Sequence, residues 1–134
     1  MRDLSFRGKS ETNGEWIHGF YYYEISRESH GSDRMREKHH ICTINYDKFV
    51  IPETVGQYTG LKDKKGTKIF EGDIVKVYLA YKTIVCIVKW EDCGYVLQDI
   101  KIQDYKYSMG KSFELEVIGN IYDNPELLEV ADGR

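Results

Sequence analysis

The hydrophobic positions of this chain fall in short runs rich in β-branched and aromatic residues, separated by Gly, Asn and Asp. Residues 16–25 read Trp-Ile-His-Gly-Phe-Tyr-Tyr-Tyr-Glu-Ile and predict a strand. Alternation puts Trp16, His18, Phe20, Tyr22 and Glu24 on one face and Ile17, Gly19, Tyr21, Tyr23 and Ile25 on the other. Glu11-Thr12-Asn13-Gly14 before it is a hairpin turn, because Asn-Gly tolerates positive φ, and it pairs the strand with residues 4–6. Residues 27–39 are polar and read as a mobile loop. Residues 40–46 alternate again, Asp47-Lys48 make a turn, and Phe49-Val50-Ile51 is a short apolar run that Pro52 ends.

The second half is denser in strand signals. Asp63-Lys64-Lys65-Gly66 is a β-turn in which Gly supplies the positive-φ position, so residues 58–61 and 67–70 pair. Glu71-Gly72-Asp73 forms a second corner. Strands follow at 74–80, 83–90, 95–100 and 113–122, with 101–110 an extended loop. Asn124-Pro125-Glu126-Leu127-Leu128 carries helix-start chemistry: Asn at the cap, Pro at the first turn, an acid beside it. The expected fold is mainly β, a small SH3-like barrel or β-sandwich of about eight strands with one short C-terminal helix. A single domain over 1–134 is expected, with an N-terminal β part at 1–52 that carries the loop at 27–39, and a barrel-like part at 53–134.

Composition narrows the function classes. A chain of 134 residues can bury one real core. Charged residues make up 31% and the net charge is -3, which argues against bulk electrostatic capture of nucleic acid or an anionic membrane. No stretch approaches the roughly 18 apolar residues of a membrane span. Cys42, Cys86 and Cys93 are odd in number and lack a CxxC spacing, which fits a reducing compartment better than a disulfide framework. Residues 1–6 show no apolar signal-peptide core, so a cytoplasmic location is expected.

One block is specific. Residues 54–63 (Thr-Val-Gly-Gln-Tyr-Thr-Gly-Leu-Lys-Asp), Gly66, residues 69–75 (Ile-Phe-Glu-Gly-Asp-Ile-Val), Val117-Ile118-Gly119-Asn120-Ile121-Tyr122 and residues 124–128 together resemble the YopX family of small phage and prophage proteins. Phe6-Arg7-Gly8-Lys9 and residues 14–19 also fit. The resemblance implies a mainly β, intracellular protein of a bacterial host, capable of homo-oligomerisation, and it brings no catalytic residues.

Four chemistries are candidates. His39-His40-Ile41-Cys42 offers metal-ligand types at close spacing, and His40 and Cys42 share a face. Structural zinc normally needs two short-spaced pairs, so strand histidines and a core thiol are the better reading, with no metal or cofactor. Cys93 lies in a turn with no histidine placed beside it, so no nucleophile is assigned. Asp63, Glu71 and Asp73 flank glycines and read as turn caps rather than an acid-base pair. Lys62, Lys64, Lys65 and Lys68, with Tyr58 and Phe70, form a candidate nucleic-acid surface. The five lysines among residues 62–76 face three acids, so the local excess is only +2.

The preferred expectation is a non-enzymatic protein acting by protein-protein contact, self-association included, with nucleic-acid binding through the lysine hairpin as the alternative. Tyr21, Tyr22 and Tyr23 in succession cannot all enter one core. Aromatics drawn from Phe20, Tyr22, Tyr78, Tyr81, Tyr105 and Tyr107 are therefore expected at the surface, with Phe20, Tyr22, Tyr105 and Tyr107 as the candidate interface.

Overall fold

A computed structural model describes residues 3–27, 35–102, 105–109 and 113–129. Among them are eleven strands and two single 3-10 turns, and every pairing between strands is antiparallel. The chain divides into two compact units, Met1–Gln57 and Tyr58–Arg134. No helix among the described residues is long and apolar enough to cross a membrane.

In the first unit, β1 (Phe6–Lys9), β2 (Trp16–Arg27), β3 (Met35–Cys42) and β4 (Asp47–Phe49) lie in the order β4-β3-β2-β1. Gly56 and Gln57, the first residues of β5 (Gly56–Lys62), add to the free side of β1. The Asn-Gly turn before β2 is present, with Gly14 at φ +73°, although β1 begins at Phe6 rather than Leu4. Alternation along β2 holds. Ile17 is buried with Ile41 and Val50, and Phe6, Tyr21 and Val55 close around them. Gly19 allows β2 and β3 to meet, because a Cβ there would overlap the Cys42 carbonyl oxygen.

Two expectations for this unit need correction. The polar stretch read as a loop at 27–39 is strand at both ends, since β2 runs to Arg27 and β3 starts at Met35; residues 28–34 lie outside the described part. Met35, Arg36 and Glu37 are all exposed, so neither face is buried and no apolar alternation is there to read. Asp47-Lys48 is not a turn but the start of β4. The turn lies earlier, closed by the Thr43 amide donating to the Tyr46 carbonyl at 2.7 Å.

The second unit is a sheet in the order β10-β9-β8-β7-β11, with β7 (Asp73–Tyr78), β8 (Thr83–Glu91), β9 (Gly94–Asp99), β10 (Lys106–Ser108) and β11 (Glu114–Asn120). β10 and β11 form its two edges, so the strands do not close into the expected barrel. The remainder of β5 pairs with β6 (Lys68–Phe70), and the register shifts between Tyr58 and Lys62 around Gly60, at φ +90°. Ile69, Val75, Val77, Cys86, Val88, Leu97 and Leu115 form one core. β10 occupies part of the segment expected as a loop, because Lys106, Tyr107 and Ser108 pair with Gln98, Leu97 and Val96.

The expected C-terminal helix is a single 3-10 turn, Pro125–Leu128. Asn124 does not cap it. Its side-chain oxygen accepts instead from the Asn120 amide at 3.1 Å, which holds the end of β11.

Candidate interaction surface

The register β2-β3-β4 builds one continuous face. Tyr22 sits opposite His40, Phe20 opposite Cys42, Glu24 opposite Lys38, and His40 opposite Phe49. Phe20 is 67% exposed, Phe49 45% and Tyr22 39%, so three aromatic rings stand in solvent on one side of the sheet.

His40 lies at the centre of that face and is itself buried. Its ring stacks flat on Tyr22 (centroids 4.4 Å, 5° between planes) and tilts against Phe49 at 4.7 Å. Both ring nitrogens meet carboxylates. Nε2 is 2.8 Å from Glu24 Oε1 on β2, and Nδ1 is 3.0 Å from Asp47 Oδ1 on β4. The Tyr22 hydroxyl donates to the other Asp47 oxygen. That bond is the main reason the phenol is pushed up to about 12 and the main reason Asp47 is lowered, with His40 adding to the latter. Tyr22 is thus held by a polar network, and Phe49 packs against the histidine at its centre.

The opposite face of the same ribbon carries a second histidine. Tyr21 Oη is 2.6 Å from His39 Nδ1, and His39 Nε2 is 3.2 Å from Glu37. This order, carboxylate to imidazole to hydroxyl, resembles a nucleophile relay. The chemistry runs the other way: burial first, then Tyr23 and Glu37, raise the Tyr21 phenol and hold its proton in place. Cys86, buried on β8, is likewise pushed up to about 12 by burial, with Asp99 adding to it. Beyond His39, Tyr23, Ile25 and Met35 are exposed at the end of the ribbon.

The metal-type residues do not converge. His39 and His40 point to opposite faces, the His40 nitrogens are occupied by carboxylates, and Cys86 and Cys93 belong to the second unit. No group of three His, Cys, Asp or Glu among the described residues is arranged to hold a metal ion.

The lysine hairpin differs from its expectation. Tyr58 and Phe70 are buried, 5.6 Å apart, and offer no stacking platform. They pair directly across β5 and β6, before the register shift around Gly60. Lys65 donates to Glu116 at 2.8 Å, and Lys64 lies 4.0 Å from both Glu116 and the centre of the Tyr78 ring. Lys68 stands 5.0 Å over Tyr58, and Lys62 is exposed opposite it in the register. Lys65 and Tyr78 bring Glu116 down to about 2.

The acids flanking the turns are structural. Asp63 accepts from the amides of Lys65 and Thr67 with one oxygen and from Val117 on β11 with the other, each at 2.9 Å. Burial works to raise its carboxyl, but these three bonds prevail and hold it below the usual range. Asp73 accepts from the Phe70 amide at 2.8 Å across the Gly72 corner.

Of the expected interface residues, Phe20 and Tyr22 share the β2 face. Tyr105 is 52% exposed but lies in the second unit, and Tyr107 is only half exposed, packing on the core and edge-on to Phe113 at 5.9 Å. Sequence reading missed His40, Glu24, Asp47 and Phe49 as a group. The pairing of β3 with both β2 and β4 is what collects them, and the one available signal was the shared parity of Tyr22, Glu24, His40 and Cys42.

The YopX protein family model matches residues 5–129. Two solved structures share the fold. Protein EF1440 from Enterococcus faecalis is 24% identical with a TM-score of 0.52, the alignment covering 96% of this chain and all of that one. Protein yopX from Bacillus subtilis is 18% identical with a TM-score of 0.57, covering 98% of this chain and all of that one. No functionally curated protein matches. With the family model spanning nearly the whole chain, the protein belongs to the YopX family.

Proposed function

We propose that the chain acts without catalysis, by protein-protein contact through the β2-β3-β4 face, and that the occupant of that face is a second copy of the chain. The observation that carries this reading is the set Phe20, Tyr22 and Phe49, exposed on one face, with Tyr22 and Phe49 packed against His40. Pre-positioned aromatic rings give contact area at low entropic cost. A two-fold contact uses the same patch on both partners, so one such face is sufficient. The charges on the face are mixed, with Lys38 and Arg36 beside Glu24 and Asp47, so like faces do not repel as single-sign patches would.

We place this contact in the cytoplasm of a bacterial host, as an accessory phage or prophage product. The three unpaired cysteines support a reducing compartment. Nucleic-acid binding has less support, since Lys64 and Lys65 already face Glu116 and the two aromatics beside them are buried.

Light scattering at high-micromolar concentration tests the reading. The wild type runs as a dimer or larger. The variant Phe20→Ser associates more weakly while its stability stays within roughly 1 kcal/mol of wild type, because that ring is the most exposed of the three. A monomeric wild type overturns the proposal.

A further inference from the structure

The histidine at the centre of the face has a consequence that simple contact does not require. A neutral imidazole has one N–H and one lone pair, whereas an imidazolium has two N–H donors. The two nitrogens of His40 both face carboxylate oxygens, at 2.8 and 3.0 Å, on strands that flank β3 from either side. Only the doubly protonated ring donates to both.

We propose that His40 is a proton-operated pin of the interaction face: as imidazolium it ties Glu24 of β2 to Asp47 of β4 and fixes Tyr22 and Phe49 as a platform, and loss of one proton releases one carboxylate and loosens that platform. This inference rests on the reading of the face as the self-association surface.

The groups around His40 define the charge balance. β2 contributes Glu24 and the Tyr22 hydroxyl, and β4 contributes Asp47. β3 itself contributes Lys38 and Cys42 on the same side, with the Lys38 ammonium 5.0 Å over the Phe49 ring. With the ring protonated, Glu24, His40 and Asp47 sum to one negative charge. With it neutral they sum to two, and one carboxylate then faces a lone pair. Burying that arrangement under a second copy costs an unmet charged acceptor. Protonation of the ring is therefore expected to strengthen association.

The placement of histidine sharpens the point. All four histidines of the chain, His18, His30, His39 and His40, fall in the first unit. His40 has two carboxylate partners, on two different strands.

The test uses the full chain. Light scattering at about pH 5.5 and about pH 8 reads association, and long-range nitrogen NMR of the imidazoles reads the protonation of His40 alongside the Tyr22 and Phe49 ring signals. The wild type is expected to associate roughly tenfold more weakly at the higher pH, from the loss of one charge-assisted bond. The ring signals of Tyr22 and Phe49 move with the same midpoint as His40. The chain approaches zero net charge near its pI of about 5.8, so variants separate the pin from general charge loss. Glu24→Gln removes one carboxylate at a site whose side chain is 58% exposed, so it leaves folding intact, and it is expected to cut the pH response to about twofold. His40→Asn abolishes the response. An equal pH response in wild type and Glu24→Gln overturns the pin and leaves self-association standing. A wild type that is monomeric at both pH values overturns the self-association reading. The ring signals then decide the pin alone: a shared midpoint with His40 supports it, and independent midpoints overturn it.

Discussion

The two units of this chain use the same antiparallel grammar for different ends. Among the described residues, the second unit buries seven in one core cluster and the first buries three. The second satisfies its acids with backbone amides, as at Asp63 and Asp73, whereas the first turns its acids toward histidines on a surface. The difference teaches where each property resides. Burial per residue sets stability, and the second unit has more of it. Exposed, pre-positioned side chains are what the proposed contact needs, and the first unit has those.

The sharpest break comes from the core of the second unit. Leu97 is fully buried, and Leu97→Ala is expected to cost about 2–5 kcal/mol, through lost transfer energy and a cavity. Chemical denaturation measures it. A cost below roughly 1 kcal/mol would show that this core does not carry the stability assigned to it.

Gly19→Ala probes the first unit next. A methyl group there meets the Cys42 carbonyl, so β2 and β3 must separate, at about 1–3 kcal/mol. Amide exchange is expected to accelerate across β2 and β3 while the β8-β9 amides keep their protection. Uniform acceleration through both units would mean that they unfold together, and the contrast in stability would lose its meaning.

The smallest effect is one of pH. Glu116 falls from 4.5 to about 2 in the folded chain. A carboxyl depressed on folding stabilises the native state above its unfolded value, and that contribution fades as pH falls from about 4.5 toward about 2. Glu116→Gln removes this component, so its stability curve is flatter than wild type in that window. The size is modest, because the partners Lys65 and Lys64 are surface groups. Parallel curves for the two proteins would remove Glu116 from the acid response.

Much of the second unit was legible from residue types alone. The turn at residues 63–66 announces itself because Gly66, at φ +85°, supplies a conformation that few other residues adopt. Residues 83–90 read as strand because β-branched side chains dominate them, and β8 covers that run. The failures share a cause. β4 and β10 are three-residue edge strands with one aromatic residue each, too short to show alternation, and the start of β3 is exposed on both sides, so hydrophobic pattern could not mark them. Tyr58 and Phe70 looked like surface because a hairpin near lysines suggests it, while their direct pairing buries the two rings against each other. The His40 group was hidden for a further reason. Its carboxylates are 16 residues before and 7 residues after the ring, and only strand register brings them together.

The Asp63 carboxylate has a consequence for the order of events in folding. One oxygen serves amides two and four residues away, and the other serves an amide 54 residues away. The first pair of bonds forms with the turn itself, a local event of microseconds. The third must wait until the chain has closed a long loop and delivered β11, and the entropy of that closure falls before the bond can repay it. A single side chain thus joins a local turn to a strand 54 residues further on, and the hairpin's bonding is complete only when that strand is in place.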